Sequence, residues 1–352
     1  MYQKGIEAIE KAGVDAVIIS SPANKRYLSG FTGEGYVYLA KDRRAVVTDF
    51  RYVFSARKEC ENFDIIDMKK ESYGVIRGCI SDSVKKIGFE GNIVTFSEYG
   101  KMREMLPEVE FENIEGVFTL LRSIKCEDEI EKICKAEAIG DLAFSGILQE
   151  LRSGMTEREV AAKLEQYMKE AGAEGISFDT IAAAGIHSSM PHAVPTDKRL
   201  EDGDFLTMDF GCKYQGYCSD MTRTVVIGHA DQKQKEIYQV VLNAQLKALR
   251  QIRPGITGKE VDAIAREVIE DAGYGNCFGH GLGHSVGLEI HESPAFSARD
   301  DHIIQPGMVI TVEPGIYLDG FYGVRIEDVV VITEDGCRNI THSEKELMEI
   351  CR

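Results

Sequence analysis

GMTEREVAAKLEQYMKEAG (Gly154–Gly172) recurs 101 residues later as GITGKEVDAIAREVIEDAG (Gly255–Gly273). In each copy a threonine stands at the helix N-cap and a glutamate follows three residues on (Thr156/Glu159, Thr257/Glu260). That pairing lets side chain and backbone satisfy each other's free donors. Gly172 and Gly273 close the two helices, where the chain must leave helical geometry. The likeness continues outward into strand-like sequence. TMDFG (Thr207–Gly211) resembles TVEPG (Thr311–Gly315) at an offset of 104 residues, and TRTVVIG (Thr222–Gly228) resembles IEDVVVIT (Ile326–Thr333). Amphipathic helices resemble one another by chance, but two matches in the same order at nearly the same offset argue for duplication. The pattern predicts an α+β domain of two related halves, whose facing strands supply side chains to a central site.

Those strands carry acids where apolar residues belong. Asp209 interrupts LTMDFG, and Asp220 stands at the mouth of CSDMTRTVVI; Glu313 lies in VITVEPGIY and Glu327 in GVRIEDVVV. A carboxylate in such surroundings is costly when unpaired, and two held close repel unless a cation or proton intervenes. KYQGY (Lys213–Tyr217) reads as a turn, so a hairpin brings Asp209 and Asp220 face to face. Simpler readings exist for each acid. One of the aspartates pairs with Arg223 or caps a turn, or Glu327 pairs with Arg325, two residues away on the same strand face.

The histidines narrow the choice. All eight lie at or after His187, and His280, His284 and His291 fall in GHGLGHSVGLEIHE among Gly281, Gly283 and Gly287. That many glycines discourage a helix and let backbone come close to whatever the imidazoles contact. One imidazole with four carboxylates suits a pair of divalent metals better than a structural zinc, which favours four ligands dominated by Cys and His. Such an oxygen-rich set takes Mn2+, Co2+, Fe2+ or Zn2+, chosen largely by availability. Two ions about 3.5–4 Å apart activate a shared water and stabilise a tetrahedral oxyanion.

The chain of 352 residues exceeds the size at which one core stops growing, so two domains are expected. The first part alternates helix and strand patterns: a helix at Ile6–Lys11, an apolar strand at Val14–Ser20, and a hairpin of YVYLA (Tyr36–Ala40) with RAVVTD (Arg44–Asp49). Helices near Tyr52–Cys60, Tyr73–Lys86 and Phe96–Leu106 alternate with the strands FDIID, KIGFE and VEFEN. This predicts an α/β domain with a mixed sheet, carrying no phosphate loop and no ligand cluster. A long helix over Glu127–Leu151, acidic in its first turn, opens the second part. The boundary is placed at 124, giving domains 1–124 and 125–352.

Acidic residues outnumber basic ones 58 to 41, a net charge of −17, which argues against nucleic acid and anionic membrane as partners. The start lacks the uninterrupted apolar core of a signal peptide, and no run approaches the ~20 apolar residues of a membrane span. Nine scattered cysteines without a C-x-x-C pair suit reduced thiols in a cytoplasm. Cys212 and Cys218 read as small buried residues rather than ligands.

On these motifs the chain resembles the pita-bread metallopeptidases, and within them the proline-specific branch of aminopeptidase P and prolidase. NKRYLSGF (Asn24–Phe31) resembles the creatinase-type accessory domain, and residues from about 125 resemble the catalytic domain. The resemblance implies two divalent metal ions, with Mn2+ first among the choices. Asp209 chelates one ion, His284 and Glu313 the other, and Asp220 and Glu327 bridge both. It further implies that His192 and His291 flank the substrate at the tetrahedral intermediate, that His280 lines the pocket, that Arg325 orients a carboxylate, and that Glu313 accepts the proton of the attacking water. The expected reaction is cleavage of the Xaa-Pro bond by a cytoplasmic homodimer. An X–Pro bond is a tertiary amide that general peptidases handle poorly. Removal of the residue before proline from longer peptides is the first expectation, with a dipeptide-only enzyme as the alternative. Methionine aminopeptidase and a metal-free or non-catalytic relative rank lower, because the accessory domain and all five ligand positions are present.

Overall fold

The structure, a computed structural model, describes residues 2–68 and 73–351. It divides into two compact units, Met1–Arg122 and Ser123–Arg352.

The first unit contains α1 (Tyr2–Lys11), β1 (Ala16–Ile19), α2 (Pro22–Ser29), β2 (Tyr36–Ala40), β3 (Arg44–Thr48), α3 (Val53–Glu59), β4 (Asp64–Asp67), β5 (Lys86–Phe89), α4 (Phe96–Met105) and β6 (Glu110–Asn113). A short helix, α5 (Val117–Ser123), closes it. The strands form one mixed sheet in the order β4-β3-β2-β1-β5-β6. The expected hairpin is present, with Tyr36 opposite Val47, and β1 runs parallel to β5. One expectation fails: Tyr73–Lys86 is not a helix. A 3-10 turn covers Tyr73–Cys79 and the chain is extended again at Lys86. Gly74, Gly78 and the run Ser81–Ser83 weaken helix propensity there.

The second unit contains α6 (Glu127–Leu148), α7 (Glu157–Glu170), β7 (Gly175–Ile176), β8 (Ile181–Ala184), β9 (Phe205–Phe210), β10 (Cys212–Tyr214), β11 (Tyr217–Cys218), β12 (Met221–Ile227), α8 (Gln232–Gln251) and α9 (Gly258–Asp271). There follow β13 (Gly283–Ser285), β14 (Glu292–Phe296), β15 (Val309–Val312), β16 (Gly315–Leu318), β17 (Tyr322–Arg325), β18 (Asp328–Ile332), β19 (Cys337–Asn339) and β20 (Glu349–Ile350). The main sheets run β20-β12-β9-β8 and β14-β13-β15-β18-β19, and β16 with β17 makes a separate ribbon.

The duplication is visible bond by bond. Both capping boxes form: Glu159 N donates to Thr156 Oγ1 at 3.1 Å and Glu260 N to Thr257 Oγ1 at 3.2 Å. Each box contributes about 1 kcal/mol to its helix start. Backbone bonds repeat as well. Gly154 N to Leu200 O (2.8 Å) matches Gly255 N to Ile304 O (2.9 Å), and Glu157 N to Lys198 O matches Gly258 N to His302 O, both 3.1 Å. In each half a helix pair covers the outer face of its sheet. Ala136, Phe144, Leu164 and Met208 belong to one apolar core, and Val241, Ala265, Ile310 and Val330 to the other. The inner faces are left to the acids. Among the described residues no helix is long and apolar enough to cross a membrane.

Candidate metal centre

β9 and β12 pair antiparallel with Asp209 opposite Thr222. Asp220 lies two residues before Thr222, so it shares Asp209's face as a diagonal neighbour. The chain between them folds back through the β10–β11 pair, turning at Gln215 and Gly216 with φ of 46° and 79°. Two left-handed residues give the tight turn whose twist matches its strands.

Glu313 and Glu327 sit differently from the expectation that strands embed them. Glu313 falls between β15 and β16, and Glu327 between β17 and β18. At both points the chain passes between the five-stranded sheet and the ribbon, so each acid occupies a break in a ladder. Glu313 N donates to Leu282 O at 2.7 Å and Glu327 N to Thr222 O at 3.1 Å, bonds that lie outside either ladder. This break also corrects the pairing of Arg325 with Glu327. The Arg325 guanidinium instead reaches Asp209, with Nη2 2.5 Å from Oδ2. Arg223 is not the aspartates' partner either, because it is held by Asp328 at 2.8 Å in a wholly buried pair.

His284 completes the cluster. Its Nε2 lies 3.4 Å from Asp220 Oδ2 and 3.4 Å from Glu313 Oε1. Asp220, His284 and Glu327 each present a ligand atom within 4.8 Å of the others. Thr222 Oγ1 donates to Glu327 Oε2 at 2.6 Å and Thr311 Oγ1 to Glu313 Oε1 at 2.9 Å, fixing how each carboxylate points.

Electrostatics show the strain of crowding these acids together. Asp220 is 4% exposed and Glu327 1%. Burial, and then the Glu327 charge, push the Asp220 carboxyl well above its ordinary range. Burial raises Glu327 in the same way, reinforced by Glu313 and Asp209. Glu313 is pushed up to about 7, chiefly by burial, and burial draws His284 down. Asp209 Oδ1 and Glu327 Oε1 are buried without a hydrogen-bond partner. Buried acceptors of this kind normally have a partner. Crowded carboxylate oxygens beside one neutral imidazole nitrogen are the donor set of hard-to-intermediate divalent cations, so these residues fit such ions.

His192, Asp209, Asp220, His280, His284, His291, Glu313, Arg325 and Glu327 all line one cavity of about 700 Å³. His192 and His291 are solvent-exposed in it, and the His291 ring meets His284 edge-on at 4.4 Å. The neighbouring Glu292 is buried against Lys125 at 3.1 Å. His280 Nδ1 is 2.7 Å from Gly281 O, which assigns the proton to that nitrogen. Nε2 then accepts from the Tyr317 hydroxyl at 2.9 Å. Burial lowers the His280 pKa to about 4, so the ring is neutral at neutral pH. Tyr317 also accepts from Arg325 Nη1 at 2.7 Å. Sequence reasoning missed Tyr317: IYL reads as ordinary strand, and only the pairing of β16 with β17 brings Tyr317 to the arginine. It missed Glu137 too. This fully buried acid on α6 accepts from Asp220 N at 2.8 Å and from Thr341 Oγ1 at 2.9 Å. Cys212 and Cys218 are buried free thiols outside the cluster.

Residues 131–334 match the model of metallopeptidase family M24, and residues 2–124 match that of the creatinase/prolidase N-terminal domain. The chain belongs to metallopeptidase family M24. A Xaa-Pro dipeptidase of Pyrococcus furiosus is 42% identical over 98% of this chain and 99% of its own length. The solved structure of a Xaa-Pro dipeptidase from Bacillus anthracis superposes with a TM-score of 0.96 at 42% identity, covering 99% of this chain and 98% of that one. That of an X-Pro aminopeptidase from Thermotoga maritima gives 0.91 at 40% identity, covering 97% and 99%. This M24 chain is therefore a metallopeptidase with a creatinase-type first domain and a pita-bread second domain.

Proposed function

We propose that this M24 peptidase is a Xaa-Pro dipeptidase that binds two divalent ions through Asp209, Asp220, His284, Glu313 and Glu327. The observation that carries the metal assignment is the pair of buried, unpartnered oxygens, Asp209 Oδ1 and Glu327 Oε1, beside the Asp220–His284–Glu327 cluster. The dipeptide preference rests on the relatives named as dipeptidases, and it replaces cleavage of longer peptides as the leading reading. The aminopeptidase reading stays as the second one, because the Thermotoga structure bears that name.

When bound, the ions lower the pKa of a water and polarise the scissile carbonyl. The chain's own groups do the rest. Glu313, whose carboxyl burial has already raised, accepts the proton of the attacking water. His192 and His291, both open to the cavity, hydrogen-bond the substrate and supply the proton that the proline nitrogen needs to leave. Arg325, held by Asp209 and Tyr317, orients the substrate carboxylate, the group a dipeptide presents close to its scissile bond. Phe178, Ile181 and Ile290 give the cavity an apolar wall for side chain and ring.

Mn2+ is the metal of first choice, the assembly is a homodimer and the compartment is the cytoplasm; nine free cysteines support the last of these. Light scattering that returned the mass of one chain would remove the dimer. The reaction is tested by supplying Mn2+ and comparing an Xaa-Pro dipeptide with the matching Xaa-Pro-Yaa tripeptide. Preferred cleavage of the dipeptide is expected, and rapid tripeptide cleavage with a stable dipeptide would restore the aminopeptidase reading.

A further inference from the structure

His192 sits on a strap, residues 184–196, that carries part of the cavity wall (Pro191, Ala193, Val194 and Pro195). Both ends of the strap return to one carboxylate. Glu157, in the first turn of α7, is wholly buried. Its Oε1 accepts from Ala184 N at 2.8 Å and is 2.9 Å from His187 Nδ1. Its Oε2 accepts from Thr196 N at 2.9 Å and from Thr196 Oγ1 at 2.6 Å. Between these anchors the strap packs on β17 and makes two hydrogen bonds to it: Gly323 N donates to Ser188 Oγ at 2.9 Å, and Arg325 Nη2 to Pro191 O at 3.3 Å.

The duplication isolates what this carboxylate adds. The same helix start forms in the other half with the same backbone bonds, yet the residue there is Gly258. A Cβ on Gly258 would lie 2.1 Å from Ala295 O, so the second half packs backbone directly against the helix. Glu157 is therefore not needed to build the helix–strand unit. It belongs to the half that carries the His192 strap, and the hydrogen bonds to its carboxylate come from Ala184, His187 and Thr196 of that strap. A buried carboxylate is tolerated only when its lone pairs are filled, so carboxylate and strap order each other.

We propose that Glu157 is a positioning residue: it fixes strap 184–196 so that His192 and the wall Pro191–Pro195 face the substrate. The proposal rests on the reading of His192 as a substrate-side group. Glu157→Gln keeps the size but replaces one acceptor oxygen by a donor, taking the acceptor from two strap donors, one of them a backbone N–H (Ala184 or Thr196).

Hydrogen exchange on the full chain reads the brace without any reference to catalysis. Amides of 184–196 in E157Q should exchange about tenfold faster or more, with those of β9 and β12 unchanged. Kinetics on the Mn2+-loaded enzyme read the consequence. E157Q should lower kcat/KM on an Xaa-Pro dipeptide about tenfold with full metal content, and in an H192A background the same change should cost less than about twofold. Unchanged strap exchange, lost metal, or equal losses in both backgrounds would overturn the proposal. If H192A alone costs nothing while the strap still loosens in E157Q, the role of His192 fails and the brace stands. Should E157Q not fold, Thr196→Val removes one donor to the same carboxylate. Faster exchange confined to the strap supports the brace, and none overturns it.

Discussion

Replacing Asp220 by asparagine should make the metal-free protein more stable while destroying its response to metal. Asp220 and Glu327 each present an oxygen within 4.8 Å of the other. At 4.8 Å and an effective dielectric near 20, two full charges repel by about 3.5 kcal/mol. The folded chain relieves part of this by keeping a proton in the cluster, so the expected gain for D220N is about 1–2 kcal/mol. In a unit of this size that raises the midpoint by roughly 2–8 °C. The assay is calorimetry of both proteins in EDTA and again with Mn2+. At a hundredfold excess over its dissociation constant, Mn2+ should add about 2.7 kcal/mol to the wild type and far less to D220N, which lacks one of the proposed ligands. The pH dependence has a definite sign. Glu313 has a folded pKa raised to about 7 from 4.5, so the folded state binds protons more tightly. Its contribution is present below about 4.5 and is lost as pH rises through about 7. Metal-free wild type should therefore weaken across that window. A lower midpoint for D220N in EDTA, or an equal rise with Mn2+ in both proteins, would refute the reasoning.

Three further outcomes follow from other contacts. His192→Ala should leave metal stoichiometry intact and lower kcat/KM at least about tenfold; loss of metal by elemental analysis would contradict its proposed place on the substrate side. Tyr317→Phe removes the hydroxyl between Arg325 Nη1 and His280 Nε2. It should cost about 1–2 kcal/mol of transition-state binding, read as kcat/KM with metal content unchanged. Arg223→Met strands the buried Asp328, which then keeps only Lys345, Gln245 and Asn339. A loss of about 3 kcal/mol in urea denaturation is expected, and a change below about 0.5 kcal/mol would show that those three suffice.

Much of the molecule was legible because its signals are local. Period and capping chemistry are properties of a few neighbouring residues, so the helices of the duplication and the hairpin of the first unit could be read directly. The failure at Tyr73–Lys86 came from weighing its apolar residues above its glycines. The candidate site residues stood out for a related reason: a carboxylate inside an apolar run is an anomaly that needs no coordinates to notice.

What the sequence by itself determined is the inventory: two related halves, acids at Asp209, Asp220, Glu313 and Glu327, and histidines amid glycine. Only the tertiary structure decided who meets whom. It placed Glu313 and Glu327 at breaks in their ladders, turned Arg325 away from Glu327 toward Asp209, and brought Tyr317, Glu137 and Glu157 to groups as many as 204 residues distant in the chain. Such partners depend on where the strands cross and on which buried donors are left over after the ladders form. Those quantities belong to the packed molecule and have no counterpart in the spacing of residues along it.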